Sequence, residues 1–278
     1  MRPDLHTHTT ASDGVLSPGE LIAKAAALGV DMLALTDHDT FDGFLSLRET
    51  DLPIPVLQGT ELSMADRKNM HLLCYGEMQD TPLHRKVRQL AENRISRAEQ
   101  MMDLLDAHAM PLDREAVRRS AGGSIGRPHL ARAMIQAGYV KNLNEAFDRF
   151  LADGKPCYVP GDRLYFREAL TLARESGFIP VLAHPFEMGF GVHTLSQLLP
   201  EWKEQGLMGL EVYHPSAAAK GYAPLDSTAR RLGLLVTGGS DFHQSGDRHG
   251  EPGCTAPFWP RAEEDVHLLL EAMHTANS

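Results

Sequence analysis

The chain has 278 residues, of which 42% are hydrophobic and 23% charged, with a formal net charge of −10. This is ordinary globular composition, long enough for one large α/β domain with an insertion, and it excludes a disordered chain. The acidic balance disfavours a broad grip on nucleic acid, so no DNA partner is expected; a small phosphorylated substrate stays compatible, because bound cations offset ligand carboxylates locally. No apolar run approaches the roughly 18 residues of a membrane span, and the first strand begins within a few residues of Met1, leaving no room for a signal peptide. A cytoplasmic protein without a membrane partner is expected. Cys74, Cys157 and Cys254 are far apart, odd in number and in no CxxC pair, which argues against disulfides and against a thiolate zinc site and leaves them a packing role.

One physical unit recurs along the chain: an amphipathic helix, a glycine stop, then a short strand ending in metal-type residues. His6 and His8 alternate along an apolar opening, so a strand projects both from one side about 6–7 Å apart, close enough to share an ion. Ser17-Pro18-Gly19-Glu20 reads as a capping box with proline at the first helical position; the helix closes at Gly29, and Met32 to Leu35 form a strand running into Thr36-Asp37-His38-Asp39. Val56-Leu57 precede Glu61, and Leu72-Leu73 follow His71. From Pro82 to Met110 a long charged helix breaks the alternation, and further short helices follow to about Pro160, including Pro128 to Ala137 and Leu143 to Leu151, with no convincing strand. The unit then returns twice. A helix over Glu168 to Ser176, Gly177 and a strand from Pro180 to Ala183 deliver His184; a helix over Asp226 to Arg231, Gly233 and a strand from Leu234 to Thr237 lead to Ser240-Asp241-Phe242-His243. Between them Met208 to Tyr213 form a strand before His214.

Alternating helix and strand predicts a parallel sheet, and ligand residues at successive strand ends predict a barrel with its site at the carboxyl mouth. His6 and His8, on the first strand, and His71, at the head of its strand, fit that rule less well. Residues 95–158 read as a helical insertion over the mouth, with 1–94 and 159–278 forming the barrel. Six histidines (His6, His8, His38, His71, His184, His243) and three carboxylates (Asp13, Glu61, Asp241) recur at corresponding places, which coincidence does not explain. His84, His108, His193, His249, His267 and His274 lack that context and read as surface residues. Nitrogen and oxygen ligands without thiolate favour Mn²⁺, Fe²⁺ or Zn²⁺ over Ca²⁺. Nine such ligands suit three ions; a bridging carboxylate, for which Glu61 is the choice, sets two of them about 3.5–4 Å apart with a hydroxide between them as nucleophile.

His6-Thr7-His8, Ser12-Asp13-Gly14, Thr36-Asp37-His38-Asp39, Gly59-Thr60-Glu61, Ala183-His184-Pro185 and Ser240-Asp241-Phe242-His243 resemble, in this order and over nearly the whole chain, the PHP (polymerase and histidinol phosphatase) family. The resemblance implies a distorted (β/α)7 barrel whose trinuclear site hydrolyses phosphoesters. It implies one ion held by His6, His8, Glu61 and Asp241, a second by Asp13, His38 and His243, and a third by Glu61, His71 and His184, with manganese first and iron or zinc as alternatives. Asp37 or Asp39 would orient a ligand histidine from behind, or cap a local turn.

Ser124-Ile125-Gly126-Arg127-Pro128-His129 and Gly154-Lys155-Pro156-Cys157-Tyr158-Val159 look like the lid of the nucleoside-3′,5′-bisphosphate phosphatases and related short-RNA 5′ exonucleases; Gly126 and Cys157 depart from that pattern, where serine and glycine are frequent. Pro128 in the first helical turn sets Arg127, His129 and free N–H groups at a helix N-terminus suited to phosphate, with Arg127 able to grip it bidentately or to sit in a surface ion pair. Arg94, Arg97 and Lys155 are further cations for the same phosphate, or solvated residues, and His214 with Tyr213 contacts base or ribose, or closes the barrel mouth. The resemblance thus implies a hydroxide attack on the 3′-phosphorus of a nucleoside 3′,5′-bisphosphate, giving the 5′-monophosphate and phosphate. A 5′-to-3′ exonuclease on short RNA, a histidinol-phosphate phosphatase and a non-catalytic metal-binding module are the alternatives.

Overall fold

A computed structural model describes residues 1–47, 52–121, 125–218, 221–246 and 248–277. Seven strands follow one another in sheet order as they do in sequence: β1 (Pro3–Asp4), β2 (Met32–Leu35), β3 (Val56–Ser63), β4 (His71–Tyr75), β5 (Ile179–Leu182), β6 (Gly209–Tyr213) and β7 (Leu235–Gly238). Ten α-helices are described with them: α1 (Pro18–Ala27), α2 (Asp42–Leu45), α3 (Pro82–Ala107), α4 (Arg114–Ser120), α5 (Arg127–Gln136), α6 (Leu143–Ala146), α7 (Phe166–Glu175), α8 (Val192–Glu204), α9 (Ala223–Arg231) and α10 (Ala262–Ala276). The sheet curls until its ends nearly close. Leu5 N donates to Gly238 O, Asp241 N to His6 O and His8 N to Phe242 O, so the segments beyond β1 and β7 complete the wall. The result is the distorted seven-stranded barrel expected from the motifs.

Two strand expectations need correction. The sheet is not wholly parallel: β4 runs antiparallel to both β3 and β5, while the other neighbouring pairs are parallel. Because β4 is reversed, its first residue lies at the mouth, and His71 faces Ser63 at the carboxyl end of β3. The first strand ends at Asp4, so His6 and His8 lie beyond it rather than on it. All the ligand candidates thereby reach the same mouth.

Local chemistry accounts for the elements that carry them. Ser17 and Glu20 form the anticipated capping box, with Ser17 N donating to Glu20 Oε2 at 2.8 Å, and Gly29 ends the turn after α1 at a φ of +75°. The helix buries Leu21, Ile22 and Ala25 against Leu33, Leu35 and Phe242, fixing β2 and the segment after β7 in one cluster. The main core fills the barrel and its outer helices; a second apolar cluster, running from Ala98 to Cys157, holds the carboxyl half of α3 against α4, α5 and the turns up to Cys157. Each buried leucine or methionine there contributes about 2 kcal/mol. Among the described residues no helix is long and apolar enough to cross a membrane.

Candidate metal centre

Asp4, at the end of β1, fixes the first histidine loop to the last. It is fully buried; Oδ1 accepts from Ser240 N at 2.8 Å and from His6 N at 3.3 Å, and Oδ2 from Gly253 N at 2.7 Å. Backbone approach at this seam is close: a Cβ on Gly239 would lie 2.4 Å from that of His6, so only glycine leaves His6 in place.

The structure brings eight of the nine expected ligands into three groups of close ligand atoms: His6, His8, Glu61 and Asp241; His8, Asp13, His38 and His243; and His38, Glu61 and His71. The ninth, His184, joins through Glu61, whose Oε1 lies 2.7 Å from both His184 Nε2 and His71 Nδ1. In the first group His6 Nε2 is 3.4 Å from Glu61 Oε2 and from Asp241 Oδ1, and His8 Nε2 is 3.2 and 3.1 Å from the same two atoms. Two atoms each about 2.1 Å from one ion lie about 3.0 Å apart at a right angle and about 3.4 Å apart at the tetrahedral angle, so the spacing fits a cation between them. His6 Nε2, His8 Nε2, Asp13 Oδ1, His38 Nδ1, Glu61 Oε2 and Asp241 Oδ1 are all buried without a hydrogen-bond partner. Burying that many bare polar atoms is costly unless something binds them. The donor set therefore fits divalent ions.

Electrostatics among the same side chains point the same way except at His71, where burial outweighs the Glu61 carboxylate and lowers the pKa. Burial opposes charge on His6, yet the Glu211, Asp241 and Glu61 carboxylates raise its pKa well above the ordinary value; Glu61 likewise outweighs burial at His38 and His184, as Asp13 does at His243. The carboxylates of Asp13, Glu61 and Asp241 are held well below their usual range against the burial penalty by the same imidazoles. A ligand imidazole must give up any proton on the nitrogen that binds an ion. Loading at pH 7 is expected to release protons and to strengthen as pH rises; Mn²⁺ titration calorimetry in two buffers of different ionisation heat measures this, and zero release would contradict it.

The supporting residues differ from expectation. Glu211, which sequence reasoning passed over, accepts from His6 Nδ1 at 3.0 Å and from His184 N at 2.6 Å, so one buried carboxylate orients two ligand histidines. Its signal was a lone acid inside the apolar strand Gly209–Tyr213. Glu211→Gln is expected to weaken ion binding about 10- to 100-fold, read as Kd by metal titration. Asp37 reaches a histidine only through a relay: it accepts from Thr9 N at 2.8 Å and Ser12 Oγ at 2.6 Å, and Ser12 Oγ lies 3.5 Å from His8 Nδ1. Asp39 orients no histidine; it accepts from Ser63 N at 3.0 Å and pairs with Arg94. His84 and His249 are not surface residues. The first stacks on Phe41 at 4.2 Å inside the wall, and the second lies 3.0 Å from Asp241 Oδ2.

Beside the cluster, a cavity of about 220 Å³ runs towards α3 and the start of α5, and a cleft of about 440 Å³ adjoins it. Arg94, Arg97 and Arg127 line the cavity with Lys68 and Arg163, two cations not singled out from sequence. Arg97 Nε donates to Val159 O at 2.6 Å and Arg163 Nη1 to Met64 O at 3.4 Å, while Arg127 lies over Phe147 and Tyr158 at 5.5 and 5.7 Å. Asp162, on the same wall, accepts from Asn93 at 2.7 Å instead. Burial, with Arg127 beside it, pushes the Arg97 pKa down to about 10, and burial with Arg163 lowers that of Arg127. His129 is buried and its Nδ1 accepts from Gly126 N at 3.0 Å, capping α5. Lys155 is exposed and lines neither space, His214 is buried against Asp241, and Ser124 lies outside the described residues.

A nearly closed seven-stranded barrel with this histidine and carboxylate cluster at its mouth defines a metal-dependent phosphoesterase. The chain belongs to the PHP domain family, which its residues 4–152 match. It is 32% identical over 248 residues to the 5′-3′ exoribonuclease Rnm of Escherichia coli, across 87% of this chain and 85% of that one. It is 31% identical over 276 residues to the 3′,5′-nucleoside bisphosphate phosphatase of Chromobacterium violaceum, across 95% and 97%. A crystal structure from Bifidobacterium adolescentis, described as a metal-dependent phosphoesterase, superposes with a TM-score of 0.83 at 27% identity, over 97% of this chain and 95% of that one.

Proposed function

We propose that the enzyme removes the 3′-phosphate from nucleoside 3′,5′-bisphosphates, leaving the nucleoside 5′-monophosphate. The observation that carries this reading is the arginine cavity beside the metal centre. Arg97, Arg127 and Arg163 crowd together with carbonyl and aromatic partners and, among the described residues, no carboxylate ion pair. Like charges in a wall where Arg97 and Arg127 are half-buried call for an anion, and a phosphate answers three guanidiniums at once. A substrate with two phosphates uses both halves of the site.

In this reading His6, His8, Asp13, His38, Glu61, His71, His184, Asp241 and His243 hold three divalent ions, with manganese the first choice. Such ions supply a water-derived nucleophile at neutral pH and neutralise charge on the phosphoryl group. Residues 95–158 serve as the lid: Arg97 and Arg127 grip the 5′-phosphate, and that remote binding energy orients the 3′-ester towards the ligand cluster. Arg94, pinned by Asp39 next to His38, ties α3 to the metal centre. Glu211 and Asp37 keep the ligand imidazoles in register throughout. No side chain of the protein needs to attack phosphorus.

The exonuclease alternative shares the chemistry and differs in product; the adjoining cleft, which continues past Asn144 and Arg248, gives a longer strand an exit. The test is phosphate release from adenosine 3′,5′-bisphosphate by Mn²⁺-loaded protein, with chromatography of the nucleotide and His8→Ala as control. Accumulation of 5′-AMP, absent in the control, is expected. No turnover by protein of verified metal content would reject the reading in favour of 5′-phosphorylated oligonucleotides, then histidinol phosphate.

A further inference from the structure

Asp241 faces the metal centre with one carboxylate oxygen and two further histidines with the other. Oδ1 lies between His6 and His8, at 3.4 and 3.1 Å from their Nε2 atoms, whereas Oδ2 lies 3.4 Å from His214 Nε2 and 3.0 Å from His249 Nδ1. By distance alone His214, Asp241 and His249 could take another cation, since their ligand atoms fall within 4.8 Å of one another and His214 Nε2, 3.4 Å from Asp241 Oδ2, is buried without a formed hydrogen bond.

The hydrogen bonding of His214 argues against that. Its Nδ1 accepts the backbone N–H of Ser216 at 3.1 Å, in the turn Pro215–Ala217 that directly follows, and lies 2.7 Å from Ser216 Oγ. An imidazole nitrogen that accepts an N–H carries no proton of its own, so the ring proton resides on Nε2. That atom then has a hydrogen to donate and no lone pair for a metal. His6 is the opposite case: its Nδ1–H donates to Glu211, so Nε2 is the nitrogen that faces the site and is available to an ion. Two histidines with ring centroids 6.2 Å apart thus have their tautomers, and hence their roles, set by what stands behind them.

We infer that His214 is a positioning residue that holds Asp241 by its outer oxygen and so directs Oδ1 between His6 and His8. The side chain is 2% exposed and its ring is packed 5.3 Å from that of His184, so water offers its Nε2–H no substitute partner. A carboxylate steadied from behind loses less freedom when it takes up an ion, and removing such support costs about 10- to 100-fold in metal affinity.

The inference rests on Asp241 being a metal ligand, and the test separates the two. Nitrogen-15 NMR of the ion-free protein is expected to place the His214 proton on Nε2; a proton on Nδ1 overturns the inference without any variant. In Mn²⁺ titrations His214→Met, of similar bulk and without a donor, is expected to weaken binding at least about tenfold with the number of ions per chain unchanged. His214→Gln, whose amide N–H reaches about as far as Nε2, is expected to restore most of the loss. Loss of one ion in both variants would make His214 a ligand, and an unchanged titration in His214→Met would leave it a packing residue; either overturns the proposal. If Asp241→Asn also titrates like the parent, the assignment of Asp241 falls with it.

Discussion

Replacing Glu61 by glutamine is expected to empty the metal centre and lower phosphate release by at least about 10³-fold, the equivalent of some 4 kcal/mol of transition-state stabilisation. The change keeps the volume and removes only the charge. Five imidazoles converge on this one side chain: Oε1 lies 2.7 Å from His71 Nδ1 and from His184 Nε2, and Oε2 lies 3.0, 3.2 and 3.4 Å from His38, His8 and His6. Burial disfavours the charged carboxylate, but His38, His71 and His6 keep its pKa well below the ordinary value, so it is ionised across the working pH range. A glutamine amide offers a weaker oxygen donor and, on its other side, N–H groups aimed at nitrogens that must carry lone pairs. Metal analysis of the purified variant and a phosphate-release assay read the two effects together. A variant that keeps its ions and its rate would show that the cluster is organised around some other group.

Much of this site was legible because metal chemistry needs particular residue types, and a barrel delivers them at recurring places. His38, Glu61, His184, Asp241 and His243 all sit just past an apolar run or near its end, and the run and the ligand are both visible in the string of letters. Strand direction is not. Nothing local in His71-Leu72-Leu73-Cys74-Tyr75 says that the strand runs backwards, so His71 looked misplaced until its pairing with β3 put it at the mouth. At the N-terminus the regular strand stops at Asp4, yet pairing goes on beyond it, with Thr7 bridging Phe242 in parallel and His8 N donating to Phe242 O. Supporting contacts were the least legible. Asp39 sits beside His38 in sequence yet pairs with Arg94 from α3, a contact 55 positions away. His249, in a polar stretch without periodicity, reaches Asp241 only through the course of the chain after β7. Lys68 and Arg163 join the cation wall from separate loops, and only the folded chain makes them neighbours.

Arg127→Ala is expected to lower kcat/KM for adenosine 3′,5′-bisphosphate about 10²-fold while changing that for adenosine 3′-monophosphate only a few-fold. The difference is the substance of the prediction. Arg127 opens α5, lies over Phe147 and Tyr158, and lines the cavity rather than the metal cluster, so its proposed contact is with the distal phosphate. Charge-assisted hydrogen bonds to a phosphate contribute about 1.5–3 kcal/mol, or roughly 10- to 150-fold, and the monophosphate has no group there to lose them. Burial and the neighbouring Arg163 both disfavour charge on Arg127 and lower its pKa, and the second phosphate offsets that cost in the complex. Arg127→Lys should recover only part of the preference, since a point charge replaces the planar fork. Competitive kinetics with the two nucleotides measure the ratio directly. Equal losses on both would mean that Arg127 holds the lid or touches the scissile phosphate. A preserved preference would move the second phosphate to another part of the cation wall, with Arg97 and Arg163 the next residues to change.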